Sequence, residues 1–498
     1  MTTANTRVEM SEADAVSAPP FTVFTSRQRT YFTYLLAYLT LASSLTATIY
    51  LPLIETLNRQ YNASIFAIDL SITLYLVFQA ISPAFFGPLS DTLGRRPVFL
   101  MTFAIYLAAS LGLAFNENSY AALLVLRSLQ SIGGSAVMSL AYAVVADISL
   151  PAERGRILGP MLAATNFGPC FGPLIGGGIV LATGQTQWAF WTLVIFGASS
   201  LMLIGWTMPE TGRKIVGNGE VCPRALWKTW WSVIRSSGRR ERQNDYECSS
   251  NVYSEKSGKG VWSFPNPFSS VRLIFYADTF LILWSAGSPY AVWYCIQASI
   301  PLIYGQRYGY NPLAVSLCFL SGGAGVIVGG FVAGRLMDFN YKETAGSHDL
   351  PVDRVSGDDI RNFPIEVARS RGSYTLHMLS IGTLIGYGWA VERGVHTSIP
   401  LILQFFIGAR CTVVLQLYSA LMVDIFPDKA GTAAASNNIV RCTLSAVAIA
   451  ILQPLRDAVG DGWIFTSIGL VDGVLGMCAA AVLRKWGWNW RRARIGRD

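Results

Sequence analysis

Twelve apolar runs, each close to the length of a membrane-crossing helix and gathered into two sets of six, set what this chain can fold into. The first set lies near 31–53, 67–88, 97–116, 120–146, 157–183 and 188–208. The second lies near 277–300, 313–335, 373–391, 398–424, 432–455 and 463–484. A helix needs roughly 20 residues to cross the hydrocarbon core of a bilayer. Only helices or closed barrels survive there, because exposed backbone amides find no water. Of the 498 residues, 52% are hydrophobic and 14% charged, against about 25% charged in an average soluble domain. A soluble enzyme and a disordered chain are both excluded. The expected fold class is an all-α membrane protein of 12 transmembrane helices in two six-helix halves, residues 31–209 and 277–485.

The segments between and around the halves are polar. Residues 1–30 read as a disordered tail with no cleavable signal peptide, 210–276 as a central loop, 340–372 as a charged insertion and 486–498 as a second tail. Lys and Arg gather on the cytoplasmic side of membrane proteins. With both termini cytoplasmic, the outside loops carry only Arg59, Arg307, Arg393 and Arg456, against 14 cations inside even when both long loops are set aside. The expected placement is a multi-pass protein of the cell membrane, an internal membrane such as the vacuole being the alternative. In the central loop, Leu226, Trp227, Trp230, Trp231 and Ile234 share one face of a predicted helix over 223–235. That face lies either on the inner leaflet or against the helix bundle. Six of the eight Cys fall in apolar runs and read as packing residues, not a disulfide framework. Asn62-Ala-Ser64 is a glycosylation sequon set close against a span.

Three motifs carry the chemistry. The loop between the second and third runs reads Gly87-Pro-Leu-Ser-Asp91-Thr-Leu-Gly94-Arg95-Arg96, and its frame recurs 247 residues later as Gly334-Arg-Leu-Met-Asp338. Recurrence at matching places in the two halves indicates an internal six-span repeat. The fourth run contains Arg127-Ser-Leu-Gln130-Ser-Ile-Gly133-Gly134. The fifth contains Gly168-Pro169-Cys-Phe-Gly172-Pro173-Leu-Ile-Gly176-Gly177. Glycines every four residues flatten one helix face for close packing, and the prolines remove backbone hydrogen bonds and permit bending.

These motifs, in this order, resemble those of the major facilitator superfamily. Val145-Ala-Asp147 before Glu153-Arg154-Gly155, and Ala435-Ser-Asn437-Asn438-Ile-Val-Arg441-Cys442, further resemble its fungal 12-span drug:proton antiporters, near the quinidine-resistance branch. The resemblance covers about 31–485. It implies a gate on the inner side, made by Asp91, Arg95, Arg96 and Asp147, with Asp338 and Asp424 as counterparts in the second half. It also gives Gly168, Pro169, Gly172, Pro173, Gly176 and Gly177 a sealing role between conformations. The plain readings stand beside these: solvated inside charge for the first group, ordinary small-residue packing for the second.

Charge inside a span is costly and marks function by default. Arg127 is expected to face a cavity together with Gln130, tuning a carboxylate or binding substrate, unless backbone carbonyls merely hold it. Asn437 and Asn438 share a face with Arg441. Asp472 is expected either to carry a proton or to pair with Arg410 or Arg441. Tyr290 and Trp293 in the seventh run suit a large ligand, or serve as packing.

The chain carries no phosphate loop, so an internal ATP motor is disfavoured, and no metal-ligand spacing joins its three His. No enzyme activity, cofactor or metal is expected, and no nucleic acid. The expected function is a proton-coupled exporter of small organic compounds, acting as a monomer, with substrate, protons and lipid as partners. An uptake transporter or a nutrient sensor on the same fold is the alternative.

Overall fold

The computed structural model describes residues 22–149, 154–217, 227–231, 268–347, 363–426 and 430–495. Among these, the regular structure is entirely helical. In the first half α1 spans Ser26–Ile49, α2 Ile54–Tyr61, α3 Ile65–Leu93, α4 Arg95–Phe115, α5 Tyr120–Ile148, α6 Arg154–Thr183 and α7 Gln187–Thr207. A short helix, α8, follows at Arg213–Val216. The second half comprises α9 Phe268–Ile274, α10 Ala277–Ile300, α11 Pro312–Ser347, α12 Ile365–Ser370, α13 Ser373–Glu392, α14 Ser398–Ile425 and α15 Ala430–Ile495. A π-helical turn, Pro301–Arg307, extends α10. The long α15 is two helices joined where Gly460 adopts φ 80°, a conformation that side-chain-bearing residues avoid.

The helices overlie all twelve apolar runs. Eight continuous helical stretches are long and apolar enough to cross a membrane, the last of them containing the Gly460 break. The helices α6, α10 and α13 fall outside that group, being rich in Gly, Pro, Ser and Tyr. Helix starts follow sequence chemistry. Thr25 makes a capping box with Gln28, Ser64 accepts from Ala67 N at 3.1 Å, and Ser119 accepts from Ala122 N at 3.2 Å.

Within the first half α1 packs on α6, α3 and α4 on α5, and α4 on α7. Within the second, α10 packs on α14 and α15, α11 on α14, and α13 on α15. The halves meet along two seams, α3 against α15 and α6 against α11. Small residues permit these approaches. Gly168, Gly172 and Gly176 turn toward Ser44, Thr48 and Ile49 of α1, where the Thr48 hydroxyl donates to Gly168 O at 2.8 Å. Gly177 instead faces Ser316 across the α6–α11 seam. The fifth-run motif therefore divides its glycines between a packing contact inside one half and a contact between halves.

Part of the predicted tryptophan helix is described. Trp227 donates to Leu93 O at 2.9 Å and Trp230 lies against Gly205 of α7, while Trp231 is exposed beside Trp206. Trp227 and Trp230 of this face thus touch the bundle and Trp231 does not pack into it; Leu226 and Ile234 lie outside the described residues. Of the buried cysteines, Cys170, Cys295, Cys318, Cys411 and Cys442 are free.

A close helix approach sets a stability prediction. A Cβ on Gly329 would come within 2.9 Å of Ala409 Cα, whereas one on Gly334 meets nothing within 4 Å. Gly329→Ala is expected to cost about 1–3 kcal/mol through overpacking, and Gly334→Ala to be neutral or slightly stabilising. Unfolding temperatures of the purified variants in detergent decide this; equal values for the two contradict the packing account.

Candidate functional site

The loop motif closes a cluster at one end of the bundle, called the Asp91 end below. Gly94 (φ 103°) ends α3 and turns the chain into α4. Arg95 then donates to Asp91 at 2.5 Å and to Asp147 of α5 at 2.8 Å. Arg95 thus bridges two acids that stand on different helices. Arg96 points away from Asp91: its side chain is buried and donates to Gly205 O of α7 at 2.9 Å. Both backbone amides are taken by Glu210, which accepts from Arg95 N at 2.8 Å and Arg96 N at 3.1 Å. The same carboxylate accepts from Thr211 N and Gly212 N. Glu210 is therefore the cap of α4, supplied by the chain leaving α7, and it satisfies amides that a helix start otherwise leaves bare. Arg213 adds two bonds to Asp147 O at 2.8 and 3.0 Å. Glu153 lies outside the described residues.

In the second half the corresponding end is built differently. Asp424 pairs with Arg369 at 2.9 Å, Glu366 with Arg491 at 2.8 Å and Asp278 with Arg494 at 2.8 Å, while Asp338 is exposed on α11. Between described residues, each of these ion pairs at the Asp91 end closes within one half. Contacts between halves lie at midplane and at the far end. Asn438 Nδ2 donates to Gln79 O at 2.7 Å, Gly323 faces Cys170, and Gly305 of the π turn faces Glu55 of α2. Tyr142 of α5 is within electrostatic reach of Arg441, yet it is 38% exposed. The same helix face is buried further from the Asp91 end, at Gln130, Ser131 and Gly134. The contacts named between the halves, among the described residues, are thus those of midplane and the far end.

At midplane, Arg127 is buried between two aromatic faces, its guanidinium 4.2 Å from the Tyr50 ring centroid and 4.4 Å from that of Tyr75. It donates to Gln130 Oε1 at 2.7 Å and to Thr46 O at 3.4 Å. Gln130 in turn donates to Ser110 at 2.8 Å. Arg441 is partly exposed, lies 4.8 Å from the Tyr290 ring and bonds twice to Asn438 Oδ1. Asn437 turns to Ser419 of α14 at 2.8 Å. Trp293 does not join them: it packs against Gly322 and Gly408, where bare backbone leaves room for an indole. Asn62 is exposed at the turn between α2 and α3, with φ 46°.

Asp472 is the partner of Arg410, at 2.7 Å, and Arg441 is not involved. Ser288 of α10 and Ser380 of α13 donate to its two oxygens at 2.8 and 2.7 Å. His377 of α13 stands beside this pair, buried, with neither ring nitrogen hydrogen-bonded. Sequence reasoning left the choice between Arg410 and Arg441 open, and it missed the place of three residues: His377, the capping Glu210, and Asp69 of α3. Asp69 is buried, its Oδ1 unpartnered, facing Arg456 of α15. Its signal was plain, an acid inside the run 67–88.

A buried pair costs about 3–5 kcal/mol when one partner is removed, because the other charge is left uncompensated. Asp472→Asn is expected to lower the unfolding temperature sharply, and Arg410→Gln in the same chain to restore most of it. Rescue by Arg441→Gln, and none by Arg410→Gln, contradicts the pairing.

Comparison with known proteins agrees with this architecture. The family model described as Major Facilitator Superfamily matches residues 36–450. The MFS-type transporter phiD of a fungal species is 34% identical over 86% of this chain, which spans only 64% of that relative's length. Citrate exporter 1 of Aspergillus niger is 32% identical over 97% of this chain and 90% of its own. The crystal structure of the human organic anion transporter MFSD10 (TETRAN) superposes with TM-score 0.53 at 18% identity, over 91% of this chain and all of that one, a likeness of fold. The chain belongs to the major facilitator superfamily and is a multi-pass membrane transport protein, not an enzyme.

Proposed function

We propose that this transporter is a proton-coupled exporter of small organic compounds, with 12 spans and both termini in the cytoplasm, that works by alternating access. The observation carrying this reading is the asymmetry of the seam. Its halves touch at midplane and the far end, while the ion pairs named at the Asp91 end each close within one half. A rigid half rocking against the other about the midplane exchanges which end is shut. The cation excess at the Asp91 end makes that end cytoplasmic, so the described conformation faces inward. In the outward-facing state the two sides of the gate come together, and the Arg95 bridge between Asp91 and Asp147 keeps the α3–α5 corner rigid as it docks.

Export is supported by Citrate exporter 1, whose similarity runs through nearly the whole chain. Proton coupling is supported by Asp472 and Asp69, carboxylates buried within the spans. Asp472 is tied to Arg410. Asp69 lies at the α3–α15 seam with an oxygen unpartnered, so closing the far end desolvates it, and protonation makes that closure cheaper. External acid then favours the inward-facing state, the direction an exporter exchanging substrate for protons requires.

Proteoliposomes with an acidic lumen, offered citrate, succinate, 4-hydroxybenzoate or the cationic dye rhodamine 6G, should accumulate at least one of them, and a protonophore should abolish accumulation. Asp69→Asn should flatten the dependence on lumenal pH. Accumulation that requires ATP and survives the protonophore contradicts the proposal.

A further inference from the structure

Three arginines are sunk in the helices of the bundle core, and one of them is neutralised. Arg410 has Asp472. Among the described residues, Arg127 and Arg441 make no ion pair: aromatic faces and amide oxygens hold them instead. Tyr50 and Tyr75 sandwich Arg127, and its Nε is buried without a hydrogen-bond partner. Arg441 rests on Tyr290 and on Asn438, whose own amide reaches Gln79 O across the seam. The two cations therefore come from opposite halves. Tyr294, hydrogen-bonded to Tyr290 at 3.4 Å, is also within electrostatic reach of Arg127, so one aromatic wall connects them. Of the further buried carboxylates, Asp69 faces Arg456 at the far end and Asp278 pairs with Arg494.

Two uncompensated positive charges in a low-dielectric site are costly to keep. The cost is met in part by the tyrosine faces, whose quadrupoles attract cations. A cationic substrate entering here is repelled by both arginines. An anion completes the site, because a guanidinium presents paired donors matched to a carboxylate. Arg441 is accessible from the open end and Arg127 is not, so the anion meets Arg441 first, and its hydrocarbon or aromatic body lies along the tyrosines.

We infer that the substrate is an organic carboxylate, bound at the seam with its carboxylate on Arg441 and its charge shared with Arg127. This rests on the reading of the seam as the transport pathway.

The test uses the purified full-length protein in detergent, titrated with citrate, succinate and 4-hydroxybenzoate. Trimethyl citrate, dimethyl succinate, methyl 4-hydroxybenzoate and tetraphenylphosphonium serve as controls. Binding is read from intrinsic tryptophan fluorescence and from the shift in unfolding temperature. At least one acid should bind, with its methyl ester at least tenfold weaker. Arg441→Gln should weaken the acid at least tenfold, and Arg441→Lys, which keeps the charge without the fork, should fall between. If the glutamine variant does not fold, the lysine variant and the acid-to-ester ratio of the wild type still decide. The inference is overturned if no acid binds, if esters or tetraphenylphosphonium bind as well as the acids, or if neither Arg441 variant alters affinity. Acid binding that depends on Arg441, without accumulation of that acid in proteoliposomes, supports the ligand class and overturns the exporter reading.

Discussion

A charge at membrane depth has no water to fall back on, and the rest of this structure is arranged around the ways in which its buried charges are met. Arg410 and Asp472 use each other, with two serine hydroxyls completing the carboxylate. Removing either partner is costly, so the pair fastens α10, α13, α14 and α15 into one body. Arg127 is met by two tyrosine faces, each cation–π contact giving about 0.5–2 kcal/mol, and by Gln130. Arg441 is met by one tyrosine and one amide. The ion pair fixes a half internally. The aromatic and amide contacts leave Arg127 and Arg441 without a counter-charge among the described residues.

Close helix packing and a few polar bonds together define the halves and their junction. Inside the halves, glycine faces lie directly on backbone, as Gly325 and Gly329 do on Phe405 and Ala409, and such interlocked packing resists sliding. Between the halves, the seams run α3 on α15 and α6 on α11, where Gly323 lies on Cys170 and, at midplane, Asn438 donates to Gln79 O. That distribution suits rocking of two stiff bundles. Glu210 serves the same stiffness from outside the spans, tying the exit of α7 to the start of α4.

The fold was legible in the sequence because a membrane helix is written as a continuous apolar run, and each of the twelve runs is overlaid by helix. The Asp91–Arg95 pair was legible because its members are four residues apart at a helix junction. Partner choice over long sequence separations was not. Arg410 and Arg441 are both cations within spans of the second half, and only the packing of α14 beside α15 decides which of them meets Asp472. Trp293 suited a large ligand beside Tyr290, or packing, and the spacing alone did not decide. Its place is set by Gly322 and Gly408, which lie on two other helices. Glu210 sits in a polar stretch with nothing local to mark it, since the amides it caps belong to residues more than a hundred positions earlier. Asp338 and Asp424 suggested a copy of the first-half gate, but the insertion before α13 brings in Arg369, and Asp424 pairs with it.

The central claim is that the two ends of the seam open in turn. It is tested most directly by distances between spin labels placed on exposed residues of opposite halves, Asn62 with His396 at the far end and Thr92 with Lys342 at the Asp91 end. Measured in lipid nanodiscs by electron–electron double resonance across a range of pH and with a bound carboxylate, the two distances should change reciprocally, the far-end pair lengthening as the Asp91-end pair shortens. Distances that remain fixed under every condition, or that lengthen and shorten together, contradict alternating access in this protein.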